Sequence, residues 1–203
     1  MAGSPNITAM RRGGFLTPSE VSAIGFAAVG SNVKIDASAL FYGAERITLG
    51  SDVRIDAFSV ISAGAGGIRI GNHVHIASFG FLTGAASIDL KDFAGLSGRV
   101  SVYSSADDYH GHALTGPTIP AEFRRVESAP VVFEEHVVVG AGTIVLPGVR
   151  VGRGAAVGAL SLLRKDVAEF TIVAGHSGRV IGTRKRTLLE AEAKLKAKVL
   201  GSG

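Results

Sequence analysis

Residues 133–167, FEEHVVVGAGTIVLPGVRVGRGAAVGALSLLRKDV, repeat in blocks of six. Phe133, Val139, Val145, Val151, Val157 and Leu163 head the blocks, and Gly140, Gly152 and Gly158 stand second. The fifth column, Val137, Thr143, Val149, Ala155, Ser161 and Val167, is small or β-branched throughout. A helix repeats at about 3.6 residues and a two-sided strand at about 2, so neither returns glycine to one fixed column of six. A chain that bends at a corner after every short strand does. The spacing predicts a triangular parallel coil with the block heads stacked inward as a continuous apolar ladder.

The same beat runs upstream. Val29 and Ile35, Leu49 and Ile55, Ile70 and Ile76, and Leu90 and Leu96 head earlier blocks, and the turns start 20, 21 and 20 residues apart, so each carries two or three extra corner residues. Leu90 and Phe133 are 43 positions apart, one 18-residue turn plus an insertion of 25. The fold class is therefore all-β, and the chain divides into an N-terminal cap (1–28), a repeat coil (29–183) with an inserted loop (104–130), and a C-terminal helix and tail (184–203). In LTPSEVSAIGF, Thr17 is placed as N-cap, Pro18 at the first helical position and Glu20 at the third, predicting a short helix over the open end of the coil. At the other end, RKRTLLEAEAKLKAKVL puts Leu188, Leu195 and Val199 near one helix face, a surface for the coil or a neighbouring subunit.

Composition narrows the chemistry. A chain of 203 residues, 46% hydrophobic, is long enough for one sizeable core. Its 28 glycines lack a collagen triplet and answer instead to many tight corners. With no cysteine, disulfides, thiol catalysis and Cys-ligated zinc are excluded. No apolar run reaches the roughly 20 residues of a membrane span. MAGSPNITAMRRGGF has no apolar signal-peptide core, so a cytoplasmic protein is expected. The net charge of +4 is modest, and its C-terminal cluster interleaves Lys with Glu, which fits a solvated helix and not a nucleic-acid footprint.

The blocks run as an aliphatic residue, then Gly or Asp, two variable positions and a small or β-branched one, and they resemble those of the hexapeptide-repeat acyltransferases. VGAGTIVLPGVRVGRGAAVGALSLLRKDV followed by VAGHSGRVIG is similar to the galactoside, maltose and polysaccharide O-acetyltransferase branch. The resemblance implies a left-handed parallel β-helix, a homotrimer, and acetyl-CoA as donor to a sugar hydroxyl in surface polysaccharide or glycoconjugate synthesis. The left hand comes from the family alone, since the general crossover rule favours the right.

Regular coils are scaffold, so chemistry is sought in the insertion, SSADDYHGHALTGPTIPAEFRRVESAP. It gathers Asp107, Asp108, Tyr109, His110 and His112. Acetylating a hydroxyl needs a base, for which His is suited, with a carboxylate to fix its tautomer. Two bases stay open: His110, oriented by Asp107 or Asp108, and His75, which points outward from the coil and reaches across a subunit groove. The family's catalytic His column holds Asp107 here, and its acceptor-binding Asn column holds Ala77. With Ala77, Asp108, Tyr109 and His112 are the candidate acceptor contacts. The resemblance also implies a pantetheine arm along Gly140, Ala141, Gly158 and Ala159, with Lys165, Arg179 and Arg184 near the nucleotide phosphates.

Three alternatives use the same coil. An N-acetyltransferase of a nucleotide-linked amino sugar needs the same parts. A γ-class carbonic anhydrase would need three outward histidines from His73, His75, His110, His112, His136 and His176, a spacing this chain does not offer, so no metal is expected. A purely structural coil has no need of the His-rich loop.

Overall fold

The structure, a computed structural model, describes residues 14–176 and 178–200. Three parallel sheets wind into a left-handed parallel β-helix of about seven turns. The first face stacks Ala28–Val29, Ile47–Leu49, Ile68–Ile70, Ile88–Leu90, Val131–Phe133 and Arg150–Val151. The second stacks Lys34–Ile35, Arg54–Ile55, His75–Ile76, Gly95–Leu96, Val138–Val139, Ala156–Val157 and Thr171–Ala174, and an antiparallel strand, Arg179–Thr183, closes it. The third stacks Leu40–Tyr42, Val60–Ala63, Phe81–Gly84, Ser101–Tyr103, Ile144–Val145 and Leu162–Leu163. Such short strands carry little of the twist on which the right-handed crossover preference rests.

Register follows the six-residue columns. Val29 lies beside Leu49, Leu49 beside Ile70, Ile70 beside Leu90, Leu90 beside Phe133 and Phe133 beside Val151. On the second face Ile35, Ile55, Ile76, Leu96, Val139 and Val157 form the same kind of ladder, and all but Val29 in these two ladders are buried. The third ladder contains Ile61, Leu82, Val102, Val145 and Leu163, the early members of which the sequence reading had not separated. Most bends at the first two corners place the fourth residue of a block in the left-handed region. At the first corner this position is Asn32, Asp52, His73, Phe93 and His136; at the second it includes Phe58, Phe79, Arg99 and Leu160. Non-glycine residues tolerate that conformation only where neighbours fix it, and here rung-to-rung stacking does so. Phe93 stacks between His73 and His136 with centroids 4.8 and 4.9 Å away, and Phe58 stacks on Phe79 at 5.2 Å.

All the extra residues fall at the third corner, around Ala44–Arg46 and in the turns before Ile68 and Ile88. The long insertion opens at that corner too, directly after Ser101–Tyr103. The coil therefore has two tight corners and one that tolerates excursions.

Helix α1 (Pro18–Ala23) has the expected start: Thr17 Oγ1 accepts from the Glu20 amide, the Glu20 carboxylate accepts from the Thr17 amide, and Val21 is buried. Helix α2 (Leu188–Leu200) is attached differently from expectation. Leu195 stays 41% exposed, and Val199 lies outside the described side chains. The segment is instead strapped along the first corner by polar groups. Arg184 donates to the carbonyls of His136, Gly154 and Ala155, Arg186 lies 4.2 Å above the Phe170 ring, and Glu192 meets the buried His136 at 2.8 Å and Lys196 at 2.5 Å.

This strap carries a pH dependence. The Lys196 hydrogen bond, joined by that of His136 against a smaller upward push from burial, holds the Glu192 carboxyl below its ordinary value. A depressed carboxylate stabilises the docked state fully above its unfolded value, about 4.3, and loses that contribution as pH falls through the folded one. Backbone NMR should show α2 rigid at neutral pH and mobile in acid before the coil melts. In Glu192→Gln this acid step should be absent.

Candidate active site

The insertion leaves the coil as an antiparallel hairpin, Ser105–Asp107 against Val126–Ser128, which lifts the chain off the third face. Between hairpin and face lies a cleft of about 810 Å³, within the ordinary range for small-molecule sites. Its floor is the outward side of the third face, Tyr103, Ile144, Leu146, Leu162 and Arg164. The hairpin supplies Ser105, Ala106, Asp107 and Val126, and the loop Tyr109, Pro117 and Arg124. Among the described residues Asp107 is the single acid lining the cleft, which also holds two guanidinium groups and is otherwise mostly apolar.

The neighbouring Asp108 does something else. Its carboxylate is buried and accepts from the amides of His110 at 2.8 Å, His112 at 2.5 Å and Ala113 at 2.9 Å. Burial pushes the carboxyl up, but these three amides outweigh it and hold it below its ordinary value. The side chain thus ties the start of the loop, and its oxygens are occupied by backbone. His110 and His112 are exposed, 6.0 Å apart between ring centroids, and line no part of the cleft, whereas Tyr109, 91% exposed, stands at its edge.

His75 lies on the second face, away from this cleft, with Nε2 2.8 Å from Asp56 Oδ2, and Arg54 Nε donates to the other Asp56 oxygen at 2.7 Å. Burial raises the Asp56 carboxyl, and the bonds from His75 and Arg54 more than reverse that. Ala77 occupies the same face one step beyond Ile76. One chain therefore does not bring His75 and Ala77 together with Asp107.

Of the residues expected to hold the donor, Gly140 and Gly158 have a sufficient structural reason. A Cβ on Gly140 would stand 2.4 Å from the Ala159 nitrogen, and one on Gly158 2.9 Å from the Ala174 Cβ, so coil stacking alone requires them small. Ala141 and Ala159 are exposed at the second corner, and Lys165 and Arg179 are exposed on the late coils. Arg184 is committed to the three carbonyls of the strap, and burial lowers its pKa. Among the described residues no three His, Asp or Glu side chains converge as a metal ion would need, and no helix is long and apolar enough to cross a membrane. Sequence reasoning passed over Arg124, Arg164 and Tyr103. Tyr103 and Arg164 each follow a third-face ladder residue by one position and so point outward, a signal that the period itself contains.

No protein-family model matches the chain. A dTDP-4-amino-4,6-dideoxy-D-glucose acyltransferase of Escherichia coli is 41% identical over 187 residues, 92% of this chain and 97% of its own length. The crystal structure of AntD, an N-acyltransferase from Bacillus cereus in complex with dTDP and 3-hydroxybutyryl-CoA, superposes with a TM-score of 0.87 and 38% identity, covering 91% of this chain and 97% of that one. A galactoside acetyltransferase in complex with coenzyme A, 19% identical with a TM-score of 0.53 over 84% of this chain and 74% of that one, shares the fold alone. Six-residue ladders, one open corner carrying a hairpin, and relatives matched over nearly their whole length agree: the chain belongs to the hexapeptide-repeat acyltransferases.

Proposed function

We propose that the protein transfers the acyl group of an acyl-CoA to the amino group of a nucleotide-linked amino sugar. The observation that carries this is Asp107, a carboxylate alone among acids in the cleft, while the histidines first considered as bases lie elsewhere. A sugar hydroxyl is a poor nucleophile without a base of histidine strength. An amine is different: it is held as the ammonium by a carboxylate, and with a pKa near that of an α-amino group, about 7.7–8.0, it reaches its nucleophilic form near neutrality. The neutral amine attacks the thioester carbonyl, the N–C bond forms, the nitrogen proton passes to Asp107, and the C–S bond breaks to give a thiolate that takes that proton. Nitrogen therefore replaces oxygen as the acceptor atom, in keeping with relatives that act on a dTDP-amino sugar. The acyl group need not be acetyl, since AntD binds 3-hydroxybutyryl-CoA.

The thin donor arm would run along the late coils past Ala141 and Ala159, with Lys165 and Arg179 near its phosphates. The cleft is open on one side, and the coil leaves Leu40, Tyr42, Phe58 and Phe79 at least half exposed along the third face and second corner. So much contiguous apolar surface on one chain calls for cover, and a homotrimer supplies it. The second face of the next subunit, with His75 and Ala77, would then close the site. Light scattering should give about three times the 20.8 kDa chain mass; a monomer would contradict this assembly. The function itself is tested by thiol release from acyl-CoA, which should need a nucleotide-linked amino sugar and stop when a hydroxyl replaces the amine.

A further inference from the structure

Arg124 and Arg164 are the two cations among the described residues of the cleft, one on the loop and one on the third face. Neither makes an ion pair or side-chain hydrogen bond among the described residues, although Arg46, Arg54, Arg69, Arg125, Arg150 and Arg186 all pair with acids. The Arg124 Nε is also buried without a partner. Leaving a guanidinium nitrogen both desolvated and unbonded is costly, and such groups are kept where a ligand completes them. Asp107 shares the cleft yet pairs with neither arginine. The lining thus holds one free negative and two free positive groups, the complement of a molecule with an ammonium at one end and a doubly charged anion at the other. A guanidinium presents a planar fork that matches phosphate oxygens.

We propose that Arg124 and Arg164 clamp the diphosphate of the sugar nucleotide, so that the acceptor is held by its diphosphate at one end and by Asp107 at its amine. This rests on the amino-acceptor reading above and assigns to it two residues and a selectivity: a free amino sugar, lacking the diphosphate, binds too weakly to be acylated efficiently. Removing one charge-assisted contact of this kind weakens binding by roughly 10–100-fold.

The test is calorimetric titration of the full-length protein with dTDP, dTMP and CoA, for wild type, Arg124→Gln, Arg164→Gln, and Arg153→Gln as an exposed control at the first corner. Each cleft variant should raise the Kd for dTDP by roughly 10–100-fold, reduce the advantage of dTDP over dTMP, and leave CoA unchanged. Inorganic pyrophosphate should compete with dTDP in wild type only. Arg124→Lys, which keeps the charge and loses the fork, should fall between, and an unchanged melting temperature guards against misfolding. Unchanged dTDP binding in both variants overturns the clamp, as does a loss confined to CoA. If wild type makes no amide yet dTDP binding still depends on both arginines, the clamp stands and the acyl-transfer reading fails; the reverse pattern has the opposite meaning.

Discussion

Asp107→Asn is expected to lower kcat by roughly 10²–10⁴ while leaving the Kd for acyl-CoA near its wild-type value. Asparagine keeps the size and can still accept a hydrogen bond, but it cannot take a proton and offers no charge to an ammonium. The loss falls on the step in which the attacking nitrogen sheds its proton, and donor binding does not involve that group. Asp107 ends a paired strand of the hairpin, so its backbone is fixed by Val126 and the substitution should leave the fold intact. His110→Ala should change kcat by less than about tenfold, since His110 lines no part of the cleft. His75→Ala should act mainly on acceptor KM, because any contribution from the second face arrives from a neighbouring subunit. Turnover that survives Asp107→Asn and collapses in His75→Ala would return the base to histidine.

Phe133→Ala should destabilise the protein by about 3–5 kcal/mol. Phe133 is fully buried and is the largest completely enclosed side chain among the described residues, stacked between Leu90 below and Val151 above. It follows Val131, the first inward residue after the insertion, on the strand where the coil resumes its register. Truncation there leaves a void that rigid rungs cannot collapse to fill. At roughly 2–4 °C per kcal/mol for a chain of this size, thermal unfolding should show a fall of about 6–20 °C. Leu195→Ala, on the exposed side of α2, should stay within about 0.5 kcal/mol of wild type.

The coil was legible because its constraint is local and repetitive: an inward apolar residue heads each block, a small or β-branched residue stands fifth, and at the first two corners the fourth is mostly left-handed. Val29 through Val151 therefore announce one face, and the fold that follows leaves little choice. Thr17, Pro18 and Glu20 declared α1 for the same reason, since a capping box lies within four residues. The docking of α2 was not legible. His136 and Glu192 are 56 positions apart, and only the wound coil brings that corner to that helix.

The site was half legible. Its address in the insertion follows from the break in period, and Asp107 stands out there as the acid in a column where the resembled family has histidine. What each acid does was hidden, because Asp107 and Asp108 are adjacent, and only the backbone path turns one to the cleft and the other to three amides. His110 and His112 are dense in the sequence but exposed in the loop, away from the cleft lining. Arg124 and Arg164 come from segments 40 residues apart and could be joined only once the hairpin was seen to fold back over the third face.

The central claim is acyl transfer from CoA to nitrogen. The most direct measurement is the mass and base stability of the product formed from an acyl-CoA and dTDP-4-amino-4,6-dideoxyglucose. The expected product gains one acyl group and keeps it through mild alkali, as an amide does. A product that loses its acyl group in alkali would be an ester and would contradict the account, and so would the absence of any acylated sugar beside intact acyl-CoA.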